Sequence, residues 1–236
     1  MLNIDNLLLY LTRICVILLV LPLHEFAHAW MAKKLGDETA EYQGRLTLNP
    51  LAHLDPIGGL CLLLTGFGWA KPVPVNPNRF NRKFSIRGGM ALTAAAGPIS
   101  NLIAAFVGMV VMRIYMATDY YLNYLTESFD AEVYGMDPPL LISTFLAYFV
   151  SINVGLAVFN LIPIPPLDGS KVLFYFLGNK GGALAQWLAR NEMVVRIVFF
   201  ALLYSPILRV PLNILNGLIM NGMYWITNWI PMLMLG

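Results

Sequence analysis

The sequence predicts an all-α polytopic membrane protein with four to five transmembrane helices and a short re-entrant or interfacial extended segment after the first span. Three observations predict it. Apolar residues make up 58% of the chain and charged residues only 12%, against about half and about a quarter in soluble domains. The mean hydropathy is +0.66. The apolar residues also fall in blocks of the roughly 20 residues, at about 1.5 Å each, that a helix needs to cross a hydrocarbon core.

The first block covers residues 4–32, the second 88–117 and the third 139–162. The first leads into polar residues rather than a small-residue cleavage site, so it is expected to stay in place as a span. A fourth apolar region, 194–234, is long enough for two passes. Ser205-Pro206, Arg209 and Pro211 interrupt it, so one kinked helix with an interfacial tail fits equally well. Trp225 and Trp229 within it suit interfacial anchors. Cys15 and Cys61 both lie in apolar runs and read as buried small hydrophobes rather than a disulfide.

Basic residues orient the spans. Loop 33–50 carries Lys33, Lys34 and Arg45, and loop 71–87 carries Lys71, Arg79, Arg82, Lys83 and Arg87 without one acid. Loop 163–196 carries Lys171, Lys180, Arg190 and Arg196, whereas loop 118–137 has five acids and no Lys or Arg. The positive-inside rule therefore places 33–87 and 163–196 in the cytoplasm and the N-terminus outside. Both flanks of the short apolar stretch 57–70 are then cytoplasmic, so that stretch does not cross. With its flanks it forms a re-entrant or extended segment, 44–76, with extended pieces around 44–48 and 73–75. Non-helical backbone at membrane depth is tolerated where it is buried in protein or lines a wet cavity. The net charge of +2 gives no reason to expect nucleic acid as a partner; the lipid bilayer is the expected surrounding.

The chemistry lies at the end of the first span. His24 and His28 stand four apart on one helix face, so both imidazoles can bind one ion, and Glu25 between them can act as general base towards a water the metal activates. Counting back from Lys33, His28 lies about 7–8 Å into the bilayer and His24 about 13–14 Å. An ionisable group costs about 2.5–3.5 kcal/mol in mid-span on insertion scales, and a metal supplies the compensating partner. A catalytic zinc needs a third ligand on the same membrane face. Glu38 and Glu41 sit in a solvated loop, and Asp55 precedes Pro56 as a turn residue. Asp168 is the better candidate, because Pro163, Pro165 and Pro166 forbid regular helix before it and leave a carboxylate aimed from an apolar run. The competing reading is an Asp-Gly turn capping a helix that starts near Ser170.

His24-Glu25-x-x-His28 on an early span and Asn160 to Pro-Pro-Leu-Asp168-Gly169 on a later one together resemble the site-2 protease family of intramembrane zinc metalloproteases. The segments Gly44 to Gly58, Trp69 to Asn76 and Gly97-Pro-Ile-Ser-Asn101 are similar to its compact bacterial branch. The resemblance covers roughly residues 15–175. It implies one zinc held by His24, His28 and Asp168, with Glu25 as general base and Asn160 positioning substrate or stabilising the developing oxyanion. It implies a single transmembrane protease domain over 1–236: a zinc-ligand helix (4–32), the 44–76 segment, a third span with its ligand segment (139–175) and the C-terminal apolar region (194–234). The expected partner is a transmembrane segment of a membrane-protein substrate, cut near the cytoplasmic face. The expected location is a cell membrane, that of a bacterium.

Two residues stay open between roles. His53 either lines a cavity and touches substrate or is a loop histidine bonded to backbone. Asn101 reads as a helix–helix hydrogen bond on a face where Gly97 and Ala104 allow close approach. The rival functions are a divalent-metal transporter, which needs polar residues on several spans, and a non-catalytic zinc scaffold, which needs a fourth protein ligand.

Overall fold

The computed structural model describes residues 4–58, 70–81, 83–127, 137–203 and 205–235. Helix α1 (Ile4–Lys34) carries the first apolar block and continues through Pro22. Two single turns follow it, α2 (Thr39–Tyr42) and α3 (Pro50–His53), and Asn49 caps the second by accepting from Leu51 N–H at 3.0 Å. Next come α4 (Ile86–Met116), the short α5 (Asp119–Glu127) and α6 (Pro138–Asn160). Ser85 starts α4 by accepting from the Gly88 N–H, and Pro138 starts α6 where an N–H would be unsatisfied anyway. The chain ends in α7 (Asp168–Phe176), α8 (Gly178–Arg190), α9 (Glu192–Leu203), α10 (Pro206–Thr227) and α11 (Trp229–Leu235).

Among the described residues, three helices are long and apolar enough to cross a membrane: 10–34 within α1, then α4 and α6. Helices α9 and α10–α11 pass the same test only as a pair, bent by 65°. The break falls where the sequence placed it. Ser205 is extended (φ −89°, ψ 153°) because it precedes Pro206, whereas Pro211 is carried inside α10. Among the described residues the count is thus three, or four with the bent pair taken as one span, where the sequence led to four or five. Among the described residues no strand forms.

Of the expected re-entrant stretch 57–70, residues 59–69 lie outside the described residues. Its ends are described: Leu54 and Ala70 form an antiparallel bridge, so the chain returns at 70 to where it left at 54. Residues 44–49 and 71–76 contain no helix.

Lipid removes the usual reason for helices to associate, since a tail is as apolar as a leucine. Close packing and interhelical hydrogen bonds act instead. Helix α4 is the hub, packed against α1, α6 and α7. Its buried face is rich in small residues, among them Gly89, Ala94, Gly97, Ala105 and Gly108. Farther along, Ala105, Met109 and Met112 meet Val150, Val154 and Val158 of α6 and Met223 of α10. Hydrogen bonds then join the spans: Arg13 donates to the Tyr148 hydroxyl at 2.8 Å, and the Tyr115 hydroxyl donates to the Pro139 carbonyl at 3.1 Å. Each such bond contributes about 0.6 kcal/mol, and at most about 2.

Candidate metal centre

His24 and His28 occupy successive turns of α1, with ring centroids 4.6 Å apart, and both are buried against α4. The α4 residue beneath them is Gly97. A Cβ there would sit 2.5 Å from the His28 ring and 2.6 Å from the His24 ring, so only glycine lets the two helices approach with both rings between them.

Hydrogen bonds fix which nitrogen of each ring is free. His28 Nδ1 lies 2.7 Å from the Thr93 carbonyl, which only accepts. Nδ1 therefore carries the proton, and Nε2 has its lone pair bare. For His24 the same result comes through a relay. The Phe149 carbonyl accepts from Asn153 Nδ2 at 2.8 Å. Asn153 Oδ1 must then face Asn101, whose Nδ2 donates to it at 2.8 Å. Asn101 Oδ1 is left to face His24 Nδ1 at 2.6 Å, so this nitrogen is also the donor and Nε2 is bare. Both asparagines are fully buried. The relay ties α1, α4 and α6 at one point.

Asp168 arrives from the other side as the first residue of α7. A Cβ on Gly169 would run into the backbone carbonyls of Leu161 and Ile162, so a glycine lets α7 begin hard against the end of α6. Asp168 Oδ2 lies 3.3 Å from His24 Nε2 and 3.1 Å from His28 Nε2, and those two nitrogens are 3.0 Å apart. The other oxygen, Oδ1, accepts from Lys171 Nζ at 3.1 Å. The Lys171 ammonium beside Oδ1 favours the ionised carboxylate.

Two bare lone pairs and a carboxylate oxygen, all buried, point at one another. Such a set repels itself until a cation sits between. Four ligands placed tetrahedrally at about 2.0–2.1 Å from zinc stand roughly 3.3 Å from each other, which is the spacing found. The three residues fit zinc. Among the described residues, no fourth His, Cys, Asp or Glu joins them. The open side faces a cavity of about 690 Å³ lined by Glu25, Asp55, Val73, Val75, Asn160 and Lys171 together with apolar residues of α1, α4 and α6.

Glu25 is half-buried on this wall, and its Oε2 accepts from the Val73 N–H at 3.2 Å. Asn160 also lines the cavity, with Nδ2 donating to the Leu156 carbonyl at 3.0 Å. His53 lies apart. Its ring is buried, Nε2 sits 2.8 Å from the Thr47 carbonyl, and it is not among the cavity-lining residues. Of its two sequence readings, the backbone-bonded one matches this placement. Thr93, Asn153, Gly97 and Lys171 were not picked out as site neighbours from sequence. The usable signal was the cost of an asparagine inside an apolar span, which points to a partner without naming it.

The family model of peptidase family M50 matches residues 12–205. The chain belongs to this family. Among relatives, YwhC of Bacillus subtilis is 40% identical over 185 residues, covering 78% of this chain and 76% of that protein. Rip2 of Mycolicibacterium smegmatis is 31% identical over 162 residues, covering 66% of this chain and 53% of that protein. Rip2 of Mycobacterium tuberculosis, strain Erdman, is 26% identical over 211 residues, covering 89% and 70%. All three are named as zinc metalloproteases. No solved structure matches. As an M50 peptidase with several membrane-crossing helices, the chain is a membrane-embedded zinc metalloendopeptidase acting on peptide substrates.

Proposed function

We propose that this M50 peptidase hydrolyses peptide bonds in or near transmembrane segments of membrane proteins, close to the cytoplasmic face of a bacterial plasma membrane. His24, His28 and Asp168 hold the zinc, and Glu25 is the general base. The observation that carries this reading is the three-donor set of one face with its open side on a cavity that also holds a carboxylate. A scaffold that keeps zinc for structure closes its fourth position with protein and has no work for Glu25.

Bound zinc supplies Lewis acidity, polarising a peptide carbonyl and acidifying a water. The chain's own residues do the rest. Glu25 takes a proton from the attacking water and later delivers it to the leaving amine. Asn160 gives one hydrogen of its amide to Leu156 and keeps the second for a substrate carbonyl oxygen, in the ground state or as charge develops on it. A substrate helix offers no free peptide group, so it must unwind before it is cut. The non-helical segment 71–76 beside the cavity supplies extended backbone against which an unwound strand can lie.

The test combines zinc content with cleavage of a labelled single-span peptide in detergent. Unaltered protein is expected to hold one zinc and to cut. Glu25→Gln is expected to hold zinc and to cut about 10²- to 10⁴-fold more slowly. Zinc binding without cleavage of any peptide in a panel of single spans would overturn the reading, and flux of zinc into liposomes would then favour transport.

A further inference from the structure

The segment that crosses in front of Glu25 is built to present one hydrogen-bond donor. Its sequence is Lys71-Pro-Val-Pro-Val-Asn76. Pro72 and Pro74 have no N–H, so between Lys71 and Val75 the Val73 amide is the one backbone donor, and it points at Glu25 Oε2. Both ends of the segment are fastened by buried charged side chains. At Lys71, the N–H donates to the His53 carbonyl at 2.8 Å and the carbonyl accepts from the Arg45 guanidinium. At Asn76, the N–H donates to Asp37 Oδ2 at 2.6 Å.

Neither anchor is a solvated loop charge. Asp37 is fully buried, and its second oxygen is held by the Thr39 N–H at 3.0 Å and by the Thr39 hydroxyl. Arg45 is buried as well. Asp37 follows the end of α1 by three residues, so the turn that leaves the helix carrying Glu25 also holds the far end of the segment that meets it. A buried charge is retained when its hydrogen bonds are made. Here one bond from each charge goes to an end of one six-residue segment.

We infer that residues 71–76 form a fixed bracket for the catalytic base: the Val73 N–H holds Glu25 Oε2, and Oε1 is thereby the oxygen that receives and returns the proton. Asp37 and Arg45 are positioning residues that act through this segment. The inference rests on Glu25 being the base. It gives the Pro-Val-Pro run a role distinct from packing. A carboxylate on a free rotor presents either oxygen in many directions, whereas one oxygen tied to backbone leaves the other aimed.

The test replaces the Val73 amide by an ester, through incorporation of the α-hydroxy analogue of valine, so that N–H becomes O and the side chain is kept. In full-length, zinc-loaded protein the ester is expected to lower kcat about tenfold or more, with KM and zinc content unchanged. Turnover within twofold of the unaltered protein overturns the inference. So does a loss that resides in KM or in zinc content, because the N–H then serves substrate or fold. A second measurement needs no turnover. Hydrogen exchange at the Val73 amide is expected to quicken about tenfold in Glu25→Ala, and unchanged exchange overturns the inference as well. Asp37→Asn, which keeps the Thr39 contacts and loses the acceptor for Asn76, is expected to reproduce the ester's kcat effect in part. If the unaltered protein cuts no peptide, the intramembrane reading fails, and exchange at Val73 still decides whether the bracket exists.

Discussion

The histidines and the aspartate reach the same point by different kinds of support. His24 and His28 are held from a neighbouring helix, through fully buried partners on α4 and α6. Asp168 is held from within its own helix by Lys171, a side chain 40% exposed. The first arrangement is buried between helices, each ring held by one partner from the protein. The second stands at the edge of the cavity, where water can replace a lost donor. The two halves of the donor set should therefore answer mutation unequally, with the histidine side the more fragile.

The largest effect is expected at Gly97. Gly97→Val puts a side chain where the rings lie, 2.5 Å from the nearest ring atom, so zinc content should fall far below one per chain and the melting temperature should drop with it. Retention of one zinc would mean that α1 and α4 can separate without losing the site. Asn101→Leu comes next. It removes the acceptor for His24 Nδ1 and strands Asn153, and zinc affinity is expected to fall about 10- to 100-fold in competition with a chelator. Asn153→Leu leaves Asn101 in place but frees its amide to turn over, and should cost less than Asn101→Leu in the same assay. Smallest is Lys171→Met, expected to change zinc affinity less than tenfold because Oδ2 and its contacts are untouched. A Lys171→Met effect as large as that of Asn101→Leu would erase the contrast between the halves.

The helix-borne pair was legible because its spacing is a property of one helix: four residues on, one turn up, same face. Asp168 was legible for a different reason. Prolines before it exclude helix, and the distribution of Lys and Arg sets which membrane face it shares. Asn101 was recognised as an interhelical bond, yet its partners lie 77 and 52 residues away. Which residues face each other across two spans depends on helix rotation and register, and an apolar stripe all round a helix records neither. Asp37 shows the limit in a loop. It stands beside exposed Glu38 and Glu41 in an equally polar run but is fully buried, because burial there is decided by a segment almost forty residues on. Val73 was readable only as part of an extended piece, 73–75; that its N–H meets Glu25 was not, since a backbone N–H has no sequence mark of its partner. In the C-terminal region the break, and a kinked helix as one of two readings, were legible from Ser205-Pro206, but the angle of 65° was not.

The relay through Asn101 also bears on the order in which the chain is made. The N-terminal helix enters the bilayer first, already carrying two ring nitrogens and the carboxylate beside them. Asn101 and Thr93 arrive with the second long helix, Asn153 with the third, and Asp168 only after that third helix has ended. A ribosome-bound chain with one or two helices inserted thus has neither the tautomer lock on His24 nor the third donor. On the proposed assignment the donor set closes late in translation, after the three helices that surround it have been synthesised.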